Sequence, residues 1–242
     1  MTTINIMMMG KGGVGKTTVS AIYSQYKLTK KTSILSIDID PVNASFASFK
    51  ALKVKAFNIM DDEQGTIAPR KFDDLMELLL MAEEDVVIDS GASTFLPLIS
   101  YLLESGAISV LKDAGKEVRI HVVIVGGQSK LDSLTGLDAI AKTLGNEAQL
   151  VIWLNEYFEP FAQTGQHFED TGIYKQHQDK ISAIVTIPQR SRETFGRDIS
   201  EMLTEKLTFD EAINSKLFNV MAKQRIKITK DYLFQQLDTL MI

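Results

Sequence analysis

The sequence contains no cysteine. That absence removes disulfides, thiolate zinc sites, cysteine-ligated iron–sulfur clusters and cysteine nucleophiles from consideration, and it fits the expectation of a cytoplasmic protein. Nor does any apolar run approach the roughly 20 residues needed to cross a bilayer. The first residues, MTTINIMMMG, carry no basic segment of the kind that opens a secretory signal, so a soluble chain is expected. Basic charge is not in excess: 26 Lys and Arg against 31 Asp and Glu leave a formal net charge of −5. General polyanion binding is therefore not built into the composition, and any contact with DNA must come from a local patch. His121, His167 and His177 have neither HExxH spacing nor companion cysteines, which argues against a transition-metal site.

What is present suffices for a core. The 242 residues are 45% hydrophobic, and a chain of this size buries roughly 70% of the surface its unfolded form exposes. Short β-rich runs alternate with longer stretches of helical period, the pattern of an α/β fold with a doubly wound, mainly parallel sheet. Strands are expected at Ile4–Met9, Ser33–Ile37, Asp85–Asp89, Val118–Val125, Gln149–Leu154 and Ile181–Ile187, mostly as continuous apolar runs suited to burial on both faces. Helical spacing recurs in Val19, Ile22, Tyr23 and Tyr26, and again in Leu131, Leu134, Leu137, Ile140, Ala141 and Leu144. From Arg197 to Ile242 there is no glycine and no proline. Two or three helices are expected there, one starting at the capping box Thr208-x-x-Glu211. Leu217, Val220, Met221, Gln224 and Ile228 outline a mostly apolar face beyond it. No repeat, linker or composition break divides the chain, which predicts one domain over residues 1–242 with a helical segment from about 191 to 242 packed on it.

The most specific signal lies at the end of the first expected strand, in Gly10-Lys11-Gly12-Gly13-Val14-Gly15-Lys16-Thr17-Thr18. It satisfies G-x-x-x-x-G-K-[ST] between a strand and a helix, the context a phosphate loop requires. Glycines let successive backbone N–H groups turn inward around phosphate oxygens, where a Cβ would clash or forbid the dihedrals. The helix beginning at Lys16 adds its positive dipole end. By the chemistry of the motif, Lys16 places its ammonium on the β and γ phosphates, Thr17 ligates Mg²⁺ and Thr18 bonds the α phosphate.

Lys11, a second lysine inside the loop, makes KGGVGKTT resemble the deviant Walker A motif of the ParA/MinD family of ATPases. The resemblance implies that Lys11 reaches across a dimer interface to the partner subunit's nucleotide, with an ATP-bound dimer that relaxes after slow hydrolysis. Asp38-Ile39-Asp40-Pro41 resembles the family's first switch segment, which implies that Asp40 orients the attacking water and that Asp38 supports the magnesium shell or the loop. Val86-Val87-Ile88-Asp89-Ser90-Gly91 has the shape of a Walker B strand. Asp89 would hold Mg²⁺ through water, and Gly91 could let the next loop swing when the γ-phosphate leaves. Ser-Gly-Ala-Ser replaces the proline-containing sequence more usual after this aspartate. Asn155, ending Val151-Ile152-Trp153-Leu154, and Pro188, in Ile187-Pro188-Gln189-Arg190, resemble the family's adenine-contacting segments; an amide can donate to and accept from a purine edge at once. A loop-capping asparagine and an ordinary strand-ending proline are the structural alternatives.

Within that family, the run Asp38-Ile39-Asp40-Pro41-Val42-Asn43-Ala44-Ser45-Phe46, with Lys50-Ala51-Leu52 and Phe57-Asn58-Ile59-Met60, resembles the small TraL-type ATPases of plasmid conjugative-transfer regions. The resemblance implies ATP/ADP and Mg²⁺ as cofactors, an ATP-dependent homodimer and a protein partner from a plasmid transfer or partition apparatus. Rival readings are an ATP-binding adaptor without turnover, a membrane-associated MinD-like positioning ATPase, and a ligase or kinase for which no diagnostic motif is present. The absence of cysteine excludes an iron protein of the nitrogenase type.

Three features carry structural readings. Met7, Met8 and Met9 read as core filling. Asp61-Asp62-Glu63 and Glu83-Glu84-Asp85 read as solvated loop charges. Lys216, Lys223, Arg225, Lys227 and Lys230 face one acid, Asp231, and interleave with Phe218, Ile226 and Ile228. That segment reads first as a packed helix with a solvated basic face, with nonspecific DNA contact and, less favoured, membrane contact as alternatives.

Overall fold

Runs of isoleucine and valine without polar alternation become strands covered on both faces. In the computed structural model, which describes residues 2–31, 33–61, 65–162 and 165–242, these are β1 (Thr2–Met7), β2 (Ile34–Asp38), β3 (Lys55–Ala56), β4 (Asp85–Asp89), β5 (Lys116–Val125), β6 (Gln149–Asn155) and β7 (Ile181–Ile187). They form one seven-stranded parallel sheet in the order β3-β2-β4-β1-β5-β6-β7. The first strand thus lies in the middle, with later strands added on both sides. The expected α/β class and parallel winding hold. The short β3 went unread because its exposed Lys55 and Ala56 lack any apolar signature. Met8 and Met9 leave the strand expected to contain them yet stay fully buried, Met8 N–H donating to the His121 carbonyl (2.9 Å).

Around the sheet lie α1 (Lys16–Lys30), α2 (Pro69–Met81), α3 (Phe95–Glu104), α4 (Ala107–Asp113), α5 (Lys130–Leu144), α6 (Gly172–His177), α7 (Arg197–Thr204), α8 (Phe209–Asn214) and α9 (Val220–Leu240). Helix α1 buries Val19, Ile22, Tyr23 and Tyr26, as their spacing requires. Helix α5 buries its expected stripe except Leu131, which is 72% exposed. Among the described residues no single helix is long and apolar enough to cross a membrane; α3 and α4 reach that composition only together, bent by 61°. Their Leu98, Leu102, Ile108 and Leu111 are buried in the core.

The capping box at Thr208 is present: its hydroxyl accepts from Glu211 N–H, and the Glu211 carboxylate accepts from Thr208 N–H. The apolar face expected beyond it is a correction. Leu217, Val220, Met221 and Ile228 point outward, while α9 buries Ala222, Ile226, Thr229, Leu233 and Leu237. Both stripes have helical period, and the buried one wins because it continues through the second half of the helix. There Tyr26 donates to Asp238 (3.0 Å), and the Gln236 side-chain amide pairs with both backbone groups of Thr186 on β7 (2.9 Å each). Arg225 and Lys230 are engaged by Asp198 and Asp210. Lys216, Lys223 and Lys227 have no ion-pair partner among the described residues.

A second correction concerns Asp85. It is not a solvated loop charge but a buried group at the start of β4, accepting from Thr3 N–H (2.9 Å) and paired with buried Lys27 (3.0 Å). Burial alone would raise its pKa, but the Thr3 N–H and the Lys27 ammonium outweigh that and hold it below the usual value. Asp62 and Glu63 lie outside the described residues.

Among the described residues no group of three or more histidine, aspartate or glutamate side chains is placed to hold a metal ion. His121 is fully buried between strands and linked on both sides. Trp153 Nε1–H, which can only donate, gives its proton to His121 Nδ1 (3.0 Å), so the ring's own proton sits on Nε2 and is donated to Asn5 Oδ1 (3.1 Å). Burial, followed by the charges of Arg119 and Lys27, pushes the His121 pKa down to about 3. An unfolded histidine protonates near pH 6.5 (approximately). Between those values the unfolded chain binds the extra proton and the folded chain does not, so stability falls on acidification, by up to ~1.4 kcal/mol per pH unit. Urea unfolding from pH 7 to 4 should therefore show a steeper loss for the wild type than for His121→Gln. Equal slopes would mean that His121 does not set the acid limit.

Candidate functional site

The loop from Gly10 to Gly15 joins central β1 to α1, at the carboxyl ends of the strands, where open α/β sheets place their ligands. Gly15 caps α1 at φ 102°, a left-handed conformation that a side chain would strain, and a Cβ there would lie 2.6 Å from Asn155 Nδ2. Gly12, Gly13, Gly15, Lys16, Thr17 and Thr18 line a cleft of about 590 Å³. Gly10, Lys11 and Val14 do not line it. Val14 is buried, and its carbonyl accepts from Asn155 Nδ2 (2.9 Å).

The two lysines of the loop diverge. Lys16 turns inward, buried, and donates to the Lys11 carbonyl (3.1 Å). Burial pulls its pKa below the usual value, against the opposing pull of the Asp89 and Asp40 carboxylates. An ammonium in this position is short of compensating charge, the condition a phosphate relieves. Lys11 turns outward to an ion pair with Asp132 in the first turn of α5 (2.8 Å), both side chains being substantially exposed. Such a surface pair is worth about 0–1 kcal/mol and is readily exchanged.

Asp89, at the end of β4, is buried and accepts two hydroxyl donors: Thr17 Oγ1 to Oδ2 (2.6 Å) and Ser20 Oγ to Oδ1 (2.8 Å). Burial pushes its pKa up to about 7; the two hydroxyls resist that rise and the Asp38 charge adds to it. A carboxylate so far from water and so near neutrality is suited to a cation. Its neighbour Asp38, aligned with it across β2 and β4, has both oxygens committed to the loop that follows β2: Oδ1 accepts from Asp40 N–H (3.0 Å) and Oδ2 from Ala47 N–H (2.9 Å). Of the two roles expected for Asp38, its contacts are those of loop support.

Asp40 faces the cleft, its Oδ1 accepting from Val42 N–H (3.0 Å) and Asn43 N–H (3.2 Å). Gly91 lies directly against it: a Cβ on Gly91 would come within 2.5 Å of Asp40 Oδ1. The glycine two residues beyond β4 thus makes room for the Asp40 carboxylate. Tyr157, Phe158, Ile187, Ile199, Met202 and Leu233 also line the cleft, giving it the apolar surface on which a flat ring can pack. Asn155 lies at this end, but its amide is shared between Val14 and Tyr157 N–H (3.2 Å). That is the loop-capping arrangement, with one amide hydrogen and one lone pair still free. Pro188 is set back from the cleft, beside a small hollow with Arg190 and Phe195.

Sequence reasoning missed three contributors. Ser20 sits one helical turn after Thr17 on the same face, a spacing that could have exposed it. Ser45 and Asp132 had no such signal: Ser45 reaches Thr17 through the path of the loop after β2, and Asp132, in the first turn of α5, meets Lys11 only through tertiary packing.

The residues present fit a magnesium nucleotide: a loop with glycine at positions 10, 12, 13 and 15, an under-compensated ammonium, and a hydroxyl beside a buried carboxylate. The family model described as the CobQ/CobB/MinD/ParA nucleotide binding domain matches residues 6–225. A protein named TraL from Escherichia coli is 44% identical over 238 residues, covering 98% of both chains. In fold, the chain is similar to the septum site-determining protein MinD complexed with Mg-ADP from Pyrococcus horikoshii OT3 (20% identity, TM-score 0.56, 96% of each chain). It is also similar to a plasmid partition protein from Borrelia burgdorferi B31 bound to AMPPNP (15% identity, TM-score 0.54, 100% of each chain). Loop, carboxylates, sheet order and sequence agree, and the chain belongs to the CobQ/CobB/MinD/ParA nucleotide-binding family.

Proposed function

We propose that the protein is a Mg²⁺-dependent ATPase switch that dimerises when ATP is bound, hydrolyses it slowly, and serves plasmid conjugal transfer or partition through a protein partner. The observation that carries this reading is the divergence of Lys16 and Lys11 within one loop. One lysine serves the chain's own cleft. The other is held at the rim by a weak, exposed pair, positioned for a second subunit's phosphates. Val42, Leu131 and Phe158 are exposed apolar residues in the segments that follow β2, β5 and β6 at the same rim, as an interface formed only part of the time would require. Thr17 binds the cation, Asp89 supports it through water, and Asp40 orients the attacking water. Asn155 uses its remaining hydrogen-bonding capacity on the base, while Pro188 shapes the wall behind it. The chain acts as one unit over residues 1–242, its last three helices included, in the cytoplasm. DNA contact, where it occurs, uses Lys216, Lys223 and Lys227.

Light scattering with AMPPNP and with ADP tests the switch. The wild type should be dimeric with the first and monomeric with the second. Lys11→Ala should stay monomeric with both while binding AMPPNP within about threefold of the wild type. A Lys11→Ala protein that dimerises normally would remove the cross-subunit role.

A further inference from the structure

We infer that Ser45 supplies a second hydroxyl oxygen to the coordination sphere of the nucleotide-bound magnesium ion, beside that of Thr17. The inference rests on the magnesium-nucleotide reading above. Ser45 Oγ lies 3.1 Å from Thr17 Oγ1 and faces the cleft. Magnesium demands six oxygens at 2.0–2.1 Å in an octahedron, so that adjacent ligands stand about 2.8–3.0 Å apart. The two hydroxyls, 3.1 Å apart, need to close by only a few tenths of an ångström to reach it. Asp89 Oδ2, at 2.6 Å from Thr17 Oγ1, is closer than an octahedral edge and fits as the acceptor of the threonine proton instead.

Proton accounting points the same way. Thr17 has one hydroxyl hydrogen and gives it to Asp89, so the bond between Thr17 and Ser45 is donated by Ser45. A cation taking the Thr17 lone pair displaces that donor. The Ser45 hydroxyl then rotates, which turns an oxygen lone pair to the ion and its proton to a phosphate oxygen or water.

The backbone has no comparable freedom to withdraw. Phe46 is fully buried and Phe49 nearly so, Ala47 N–H is held by Asp38, and Asp38 is aligned with Asp89 across neighbouring strands. These contacts fix the position of Ser45 relative to the metal carboxylate. They also place Ser45 and Asp40 on one short loop, so that the ion holding Ser45 restrains the segment that carries the water-orienting carboxylate.

Calorimetric titration of AMPPNP into the wild type, Ser45→Ala and Ser45→Thr, with Mg²⁺ at graded concentrations and with EDTA, tests this. Ser45→Ala should need ~10-fold more Mg²⁺ for half-maximal tightening of AMPPNP binding. Its affinity in EDTA should match that of the wild type, and Ser45→Thr should restore the wild-type Mg²⁺ requirement. An unchanged Mg²⁺ requirement in Ser45→Ala overturns the inference, as does an equal loss of affinity with and without Mg²⁺, which would mark Ser45 as a loop-packing residue. A wild type whose AMPPNP binding ignores Mg²⁺ overturns the underlying magnesium reading itself.

Discussion

Lys16→Ala should bind AMPPNP at least ~100-fold more weakly than the wild type, without melting at a lower temperature. The first half follows from the loss of a charge-assisted contact in a site shielded from water, about 3 kcal/mol. The second follows from the state of the lysine before ligand arrives. Burial draws its pKa down, and the Lys11 carbonyl is its hydrogen-bond acceptor. The folded chain therefore bears a cost for holding this ammonium in place, and alanine relieves it. Calorimetry for affinity and thermal unfolding for stability separate the two effects. Undiminished binding would remove the phosphate assignment, and with it the whole site.

Asp40→Asn should release phosphate at least ~100-fold more slowly while keeping nucleotide affinity within about threefold, since loss of a water-orienting or proton-accepting group typically costs two to four orders of magnitude, roughly. Asparagine is the informative replacement. Its side-chain oxygen can still accept from Val42 and Asn43 N–H, so the loop keeps its course while the charge disappears. Gly91→Ala should give a similar though smaller loss, because the added Cβ would press on Asp40 Oδ1 from 2.5 Å. A phosphate-release assay with normal turnover in Asp40→Asn would assign the water-orienting role elsewhere.

The central half of the molecule was open to sequence reading because its elements announce themselves locally. Unbroken apolar runs marked β1, β4, β5, β6 and β7, and the glycine loop fell between a strand and a helix. What escaped depended on tertiary choice. Asp85 sits in an acidic triplet that reads as solvent-facing, and only the approach of Lys27 from α1 makes its burial tolerable. Two apolar stripes compete on α9, and no local rule prefers one; the sheet selects the stripe led by Ile226 and Leu233. Within the site, Lys16, Thr17 and Asp89 were legible from motif spacing. Ser45 was not, because a loop's path decides what it touches, nor was Asp132, whose meeting with Lys11 depends on where α5 packs. Asn155, expected at the base, does line the cleft, but its hold on the Val14 carbonyl belongs to the folded backbone and had no sequence signal.

The borders of the sheet bear on how copies of this chain can associate. One ends in the two-residue β3, and at the other the Gln236 amide occupies both backbone groups of Thr186 on β7. The shortness of β3 and the closure of β7 at Thr186 both limit pairing with a neighbouring strand. Lateral growth into ribbons or fibres is thereby discouraged. On the reading proposed above, association uses instead the rim where the strands end, beside the nucleotide cleft.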